Sequence, residues 1–158
     1  EKLENQIDFM EKNNYKFSYT KYVEIDENSN LRGVMISGPK RITKTGMYNY
    51  CWPGCLTVMY DRYFVGDIQI IDIKKNNDYA MWLKICKKAD CYLYPKVMAK
   101  YRKRSGSISN HSYIQLMKWH YKLFRESDEC SNIRSYANTL RNIFFGIYKK
   151  IIYIKKEK

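Results

Sequence analysis

The stretch from Asn77 to Lys84, with the sequence NDYAMWLK, places a carboxylate at the start of an amphipathic segment. The spacing of its apolar residues predicts a helix over residues 78–88 with one buried face, formed by Tyr79, Trp82, Leu83 and Cys86. The start of a helix carries unpaired amide donors and partial positive charge, which stabilise an ionised carboxylate. Asp78 could therefore act as a general base toward a hydroxyl group, or it could only cap the helix.

A basic segment follows this helix, and the sequence predicts a mobile loop over residues 102–110 that is rich in serine, glycine and cations. Arg102, Lys103 and Arg104 supply three positive charges, and the arginine fork matches phosphate oxygens. Such a loop can order over a diphosphate and exclude water, although a solvated basic loop is the simpler interpretation. A carboxylate base next to a phosphate-binding loop suggests transfer of a phosphate-activated group to an alcohol.

Composition bounds the possible partners and the compartment. The chain has 158 residues, enough for a real core, and a net charge of +13 that favours anionic partners. Lys, Asn, Ile and Tyr are abundant together, as an AT-rich genome would produce, which weakens the charge as evidence. Five cysteines and no signal-peptide pattern predict a reduced, cytoplasmic setting. Cys51-x3-Cys55 and Cys86-x4-Cys91 could form a zinc site, but their loose spacings favour ordinary buried thiols.

The pattern along the chain predicts an α/β fold, with a mixed sheet, flanking helices and a helical C-terminal tail. Helices are expected at residues 2–13, 44–50, 78–88, 112–125 and 133–154. Strands are expected at residues 16–23, 31–42 with a break at Gly38-Pro39, 56–60, 91–94 and 97–101. The change to helices alone predicts a boundary near residue 110, which separates a domain at 1–110 from a basic tail at 111–158.

Two further expectations concern aromatic residues. Trp82 shares the apolar face of its helix and is expected in the core, whereas Trp52 lies in a Pro-Gly loop and is expected at the surface, where it could stack on a sugar. The tail is rich in aromatics and cations, so its helices could lie on an anionic membrane face or pack on the domain. No stretch reaches the length needed to cross a bilayer.

Several runs, taken in order, resemble the C-terminal half of the bacterial family-two inverting glycosyltransferases, which share a GT-A type α/β fold. The matching runs are Leu56–Arg62, Val65-Gly66, Asn77–Lys84, Tyr101-Arg102 and Ser107–Ser109. Lys2–Ile7 and Phe17–Thr20 also resemble the part of the family just after its metal-binding motif. The resemblance covers about residues 1–110.

The resemblance implies roles for five residues. Asp78 would be the catalytic base that deprotonates the acceptor hydroxyl, and Arg102 and Arg104 would engage the donor diphosphate. Trp52 and Asn77 would lie on the acceptor side. Asn77 stands where the family usually has a glutamate, which removes a charge beside the base and could alter its pKa.

The nucleotide-binding half of such an enzyme is missing from these residues. No Asp-x-Asp motif occurs, and Glu24-x-Asp26 follows the wrong strand. A divalent cation, Mg²⁺ or Mn²⁺, is therefore expected in a full-length enzyme and held mainly by the missing half. The chain is expected to be a fragment, or to have its missing half on another polypeptide, and to be inactive alone.

The full-length enzyme would act at the inner face of the cell membrane in surface polysaccharide synthesis, with a nucleotide-sugar donor and a glycan or lipid-linked acceptor. The alternatives are a non-catalytic basic module that binds nucleic acid or an anionic membrane, and a degenerate scaffold. No nucleic-acid-binding motif appears in the sequence, so nucleic acid is not the favoured partner.

Overall fold

The computed structural model describes residues 1–70, 72–73, 75–104 and 112–156. Its helices are α1 (Lys2–Lys12), α2 (Lys44–Asn49), α3 (Arg62–Val65), α4 (Asn77–Cys86), α5 (Tyr113–Lys122) and α6 (Asn132–Ile152). Its strands are β1 (Phe17–Ile25), β2 (Leu31–Ile36), β3 (Arg41–Ile42), β4 (Met59–Tyr60), β5 (Cys91–Arg102) and β6 (Ile154–Lys156). A 3₁₀ turn spans Cys55–Thr57, and a π-helical turn spans Leu123–Ser127.

The strands form one mixed sheet in the order β3-β5-β1-β2-β6, with β4 paired to the first residues of β1. β1 and β5 run parallel, and the other pairs are antiparallel. The predicted α/β class, mixed sheet and helical tail are confirmed. β6 comes from the predicted tail and pairs with β2, so the tail continues the sheet.

Two strand predictions are wrong in detail. β5 is one strand where two were expected, because the pairing with β1 shifts register around Pro95 and so accommodates the missing amide donor. The run at residues 56–60 is mostly not a strand: the Thr57 hydroxyl donates to Gly54 O at 2.7 Å within the 3₁₀ turn, and only Met59 and Tyr60 pair with β1.

The main core lies between the sheet and the helices α2 and α4. Phe17 and Tyr19 on β1 and Trp82 and Leu83 on α4 are almost fully buried in it, so the prediction that Trp82 belongs to the core is confirmed. The α6 helix packs against α2 and α5. A hydrogen bond from Asn142 of α6 to the Tyr79 hydroxyl places the start of α4 next to α6.

The α6 helix has an unusual distribution of polarity. Its buried residues are polar, namely Ser135, Asn138, Thr139, Asn142 and Lys149. Its large apolar residues are mostly exposed, namely Ile133, Tyr136, Leu140, Phe144, Ile147 and Ile151. At 3.6 residues per turn these six form one continuous apolar stripe along the helix. Within the described residues, no helix is both long and apolar enough to span a bilayer.

Candidate active site

Asp78 lies in the first turn of α4, and its side chain is exposed. The N-cap position belongs to Asn76, whose backbone is left-handed (φ 65°) and whose side chain makes no capping hydrogen bond. Asp78 is therefore the second helical residue, near the partial positive charge of the helix start. Asn77, the first helical residue, is also exposed beside it.

Two cysteines from the segment that follows α2 lie near the Asp78 carboxylate. Burial, the negative charge of Asp78 and a hydrogen bond to it raise the pKa of the Cys55 thiol, which is thus a donor to the carboxylate at neutral pH. Burial raises the pKa of Cys51 to about 12; the charge of Lys149 opposes this shift and that of Asp78 adds to it. In the described part of the chain, Asp78 forms no salt bridge. The carboxylate is therefore not occupied by a fixed cation.

A buried chain of hydrogen bonds fixes the start of α4. The Tyr79 hydroxyl donates to Met47 O of α2 at 2.7 Å and accepts from Asn142 Nδ2 of α6 at 2.6 Å. Both Tyr79 and Asn142 are almost fully buried. Sequence reasoning assigned Tyr79 only to an apolar face and missed this role, because the partners lie 32 and 63 residues away.

Trp52 is not at the surface, and this prediction is wrong. Its side chain is only 4% exposed, and its indole Nε1 donates to Gly46 O at 2.9 Å. The ring packs edge-on against Tyr50, Phe145 and Tyr153. A ring with these contacts has no open face to offer an acceptor sugar.

Arg102 is engaged within the protein. As the last residue of β5, it donates to Asp26 O at 3.0 Å, Glu27 O at 2.8 Å and Ser29 Oγ at 2.9 Å. The guanidinium thereby holds the turn between β1 and β2, which argues against its predicted contact with a diphosphate. Arg104 is exposed and lines an open cavity of about 430 Å³ with Arg32 and Lys103. The predicted loop beyond Arg104, residues 105–110, lies outside the described residues.

The residues that most resemble a metal motif have other partners. The pKa of Asp26 is lowered, chiefly by a hydrogen bond from the Asn30 amide and also by one from the Asn28 amide. Glu24 forms ion pairs with Arg32 and Lys103. Within residues 1–70, 72–73, 75–104 and 112–156, no group of three His, Cys, Asp or Glu side chains is arranged to hold a metal ion. Glu24 and Asp26, which have partners within the protein, therefore do not fit a divalent cation.

Sequence comparison adds three bacterial relatives. TuaG of Bacillus subtilis, whose name assigns it provisionally to teichuronic acid biosynthesis as a glycosyltransferase, is 33% identical over 114 residues, 72% of this chain and 45% of TuaG. WfgD and WfaP of Escherichia coli are named UDP-Glc:α-D-GlcNAc-diphosphoundecaprenol β-1,3-glucosyltransferases. They are 34% and 36% identical over 74% of this chain and 46% of each relative. No protein-family model matches the chain.

The aligned region is most of this chain but a minority of each relative. The chain spans about half the length of the curated relatives it matches. The resemblance drawn from the sequence motifs is thereby confirmed at the level of the enzyme class. The chain is therefore related to bacterial glycosyltransferases, and it corresponds to about half of such an enzyme.

Proposed function

We propose that this chain is the acceptor-side half of a GT-A type, family-two inverting glycosyltransferase, with Asp78 as its catalytic base. The observation that supports this role is the exposed Asp78 carboxylate in the first turn of α4, free of any salt bridge among the described residues. Its substrates would be a nucleotide-sugar donor and a lipid-linked glycan acceptor, by analogy with the names of WfgD and WfaP.

The reaction is a single displacement. The acceptor hydroxyl oxygen attacks the anomeric carbon from the side opposite the nucleotide, and its proton passes to the Asp78 carboxylate. The new glycosidic C–O bond forms as the bond to the diphosphate oxygen breaks, so the nucleoside diphosphate leaves and the anomeric configuration inverts. Arg104 is the remaining described candidate for contact with the diphosphate. A divalent cation bound by the other half stays a prediction, and no step here depends on it.

The test uses the longer protein that carries the nucleotide-binding half. Asp78→Asn should reduce sugar transfer by about 10²–10⁴-fold, the usual contribution of a general base, with donor binding largely unchanged. Asp8→Asn, which neutralises an exposed helical carboxylate on α1, is the matched control. Near-normal transfer by the Asp78 variant would leave the carboxylate with a structural role only. The 158-residue chain alone is expected to transfer no sugar, and measurable turnover by it would contradict that expectation.

We also propose that the tail lies on the anionic cytoplasmic face of the membrane, where a lipid-linked acceptor resides. The apolar stripe of α6 supports this placement, because a row of exposed Leu, Ile and Phe side chains marks an interaction surface. The helices α5 and α6 contain lysine and arginine but no acidic residue, so their charge complements anionic lipid.

Vesicle flotation tests this placement. The chain should float with vesicles of phosphatidylglycerol and phosphatidylethanolamine, and less with phosphatidylcholine alone. Replacing Leu140 and Phe144 by serine should weaken binding at least about tenfold, since each buried apolar side chain contributes roughly 1.5–3 kcal/mol. Leu3→Ser with Leu31→Ser removes two exposed apolar residues outside the tail and is the control. Absence of flotation, or equal loss in both variants, would rule the stripe out as a membrane contact.

A further inference from the structure

A cavity of about 270 Å³ lies between the start of α4, the helices α5 and α6, and the loop that follows α2. Its walls include Tyr50, Cys51, Asn76, His120, Asn142 and Ile147. The volume lies near the lower end of the range for ligand pockets, about 300 Å³, so it suits a single small ring rather than a chain of sugars.

Three of the cavity residues carry a buried polar atom that lacks a hydrogen-bond partner in the protein. They are Asn76 Nδ2, His120 Nδ1 and Asn142 Oδ1. Only two other side-chain atoms among the described residues share this state, on Gln6 and Trp82. An unpaired buried polar group is destabilising, so three of them at one cavity indicate a missing partner.

The chemistry of these groups favours a neutral, hydroxylated ligand. The two amides offer one donor and one acceptor, and their terminal torsions are soft enough to turn toward a ligand. Burial lowers the pKa of His120 to about 4, so the imidazole is neutral at neutral pH and can pair with a hydroxyl. The remaining wall is largely apolar, with Leu116, Ile143 and Ile147, which matches the C–H face of a sugar ring, and it also includes the exposed Lys150.

The cavity also adjoins the proposed base. Asn76, in its wall, is the N-cap of the helix whose second residue is Asp78. Cys51, also in its wall, lies close enough for the Asp78 charge to affect its thiol. Ile147 belongs both to the cavity and to the apolar stripe, so the cavity lies beside the surface proposed to meet the membrane.

We propose that this cavity is the subsite that seats one sugar ring of the acceptor, through Asn76, His120 and Asn142. This proposal rests on the proposed function, since the seated ring is the one whose hydroxyl Asp78 would deprotonate. The subsite is formed in part by the tail, and neither the sequence motifs nor the names of the relatives assign it.

The first test measures binding directly and does not depend on catalysis. The 158-residue chain is titrated with methyl N-acetyl-α-D-glucosaminide, and separately with methyl α-D-glucopyranoside, while amide and side-chain chemical shifts are followed. Saturable shifts are expected at Asn76, His120 and Asn142. Asn76→Gly keeps the left-handed backbone but removes the amide, and it should weaken binding at least about tenfold. Asn14→Gly makes the same change at another left-handed asparagine (φ 53°) outside this cavity and should leave binding unchanged.

A second variant guards against a folding defect. Ile147 is half exposed at the cavity, so Ile147→Trp should fill the cavity without disturbing the core and should abolish the shifts. No saturable shift with either sugar, or full binding by the Ile147 variant, would overturn the subsite. In the longer enzyme, Asn76→Gly should raise the acceptor KM with a smaller change in kcat. Transfer by the longer enzyme that depends on Asp78 but not on Asn76 would refute the subsite alone. Saturable sugar binding together with no transfer by the longer enzyme would refute the enzymatic proposal alone.

Discussion

Lys149 is a buried lysine on α6, and its replacement by methionine should change how stability depends on pH. The side chain is only 9% exposed, its Nζ donates to Trp52 O at 2.9 Å, and it lies 5.1 Å from the centre of the Tyr50 ring. Burial lowers its pKa from 10.5 to about 8, with the nearby Cys51 thiol opposing that shift. Folding therefore disfavours the charged amine.

The direction in which stability changes with pH follows from the number of protons that each state binds. Between about pH 8 and 10.5 the unfolded chain keeps the Lys149 proton while the folded protein has released it, so the free energy of unfolding rises with pH. Below pH 8 both states carry the proton, and the folded protein bears the full cost of the buried charge. At 1.36 kcal/mol for each unit of pKa, that cost is about 3 kcal/mol.

The methionine variant removes this cost but also leaves the buried Trp52 carbonyl without its donor, at about 1–3 kcal/mol. The absolute change at pH 7 is therefore a small difference between two larger quantities. The pH dependence separates the cost of the buried charge from the cost of the unpaired carbonyl, since only the Lys149 amine changes its charge with pH. From pH 7 to pH 9 the wild-type protein should gain about 1.3 kcal/mol of stability relative to Lys149→Met.

The assay is urea unfolding of both proteins at pH 7, 8 and 9, followed by far-UV circular dichroism. The ionisable cysteines and tyrosines near Lys149 are present in both proteins, so their contributions cancel in the difference between the two stabilities. Lys150→Met, at the exposed neighbouring residue, controls for the loss of one positive charge from α6. If the wild-type and Lys149→Met curves stay a constant distance apart from pH 7 to 9, the amine does not titrate near 8 and this reasoning is wrong.

Two further predictions concern backbone and turn stability. Gly38→Ala should lower the free energy of unfolding by at least about 2 kcal/mol, because its Cβ would come within 2.5 Å of the hydroxyl of buried Tyr19. Gly46→Ala, where the same atom meets only ordinary contacts inside α2, should be neutral or stabilising in the same urea titration. Arg102→Ala should cost about 1–2 kcal/mol and speed amide exchange in the turn after β1, through the loss of three hydrogen bonds. Arg102→Lys should not restore the protection, since an ammonium lacks the planar fork, and full protection in either variant would refute the assigned role.

Local sequence patterns predicted those helices and strands whose own residues show a clear hydrophobic periodicity. The α4 helix was predicted because its apolar spacing is strong and matches its buried face. The exposed position of Asp78 also follows from that spacing. The predicted interruption at Pro95 is wrong because the pairing of β5 with the parallel strand β1 shifts register there and accommodates the proline. No local sequence pattern encodes this shift.

The parts of the site that were missed depend on distant contacts. Proline and glycine beside Trp52 are typical of a surface loop, yet α6 covers the ring. The sequence predicts Arg102 to be a free cation, because its hydrogen-bond acceptors lie in the turn after β1, more than 70 residues earlier in the chain. The unpaired atoms of the cavity come from three separate helix regions, so only the folded arrangement brings them together.

The pairing of β2 with β6 has a consequence for how the protein is made. About 120 residues separate Val34 from its partner Lys156. At an elongation rate of about 5–20 residues per second, the edge of β2 stays unpaired for roughly 6–24 s before its partner leaves the ribosome. During that interval a nascent chain displays unpaired backbone amides and carbonyls, which are a template for association with other chains. Biogenesis in the cell should therefore depend on the capacity of ribosome-associated chaperones.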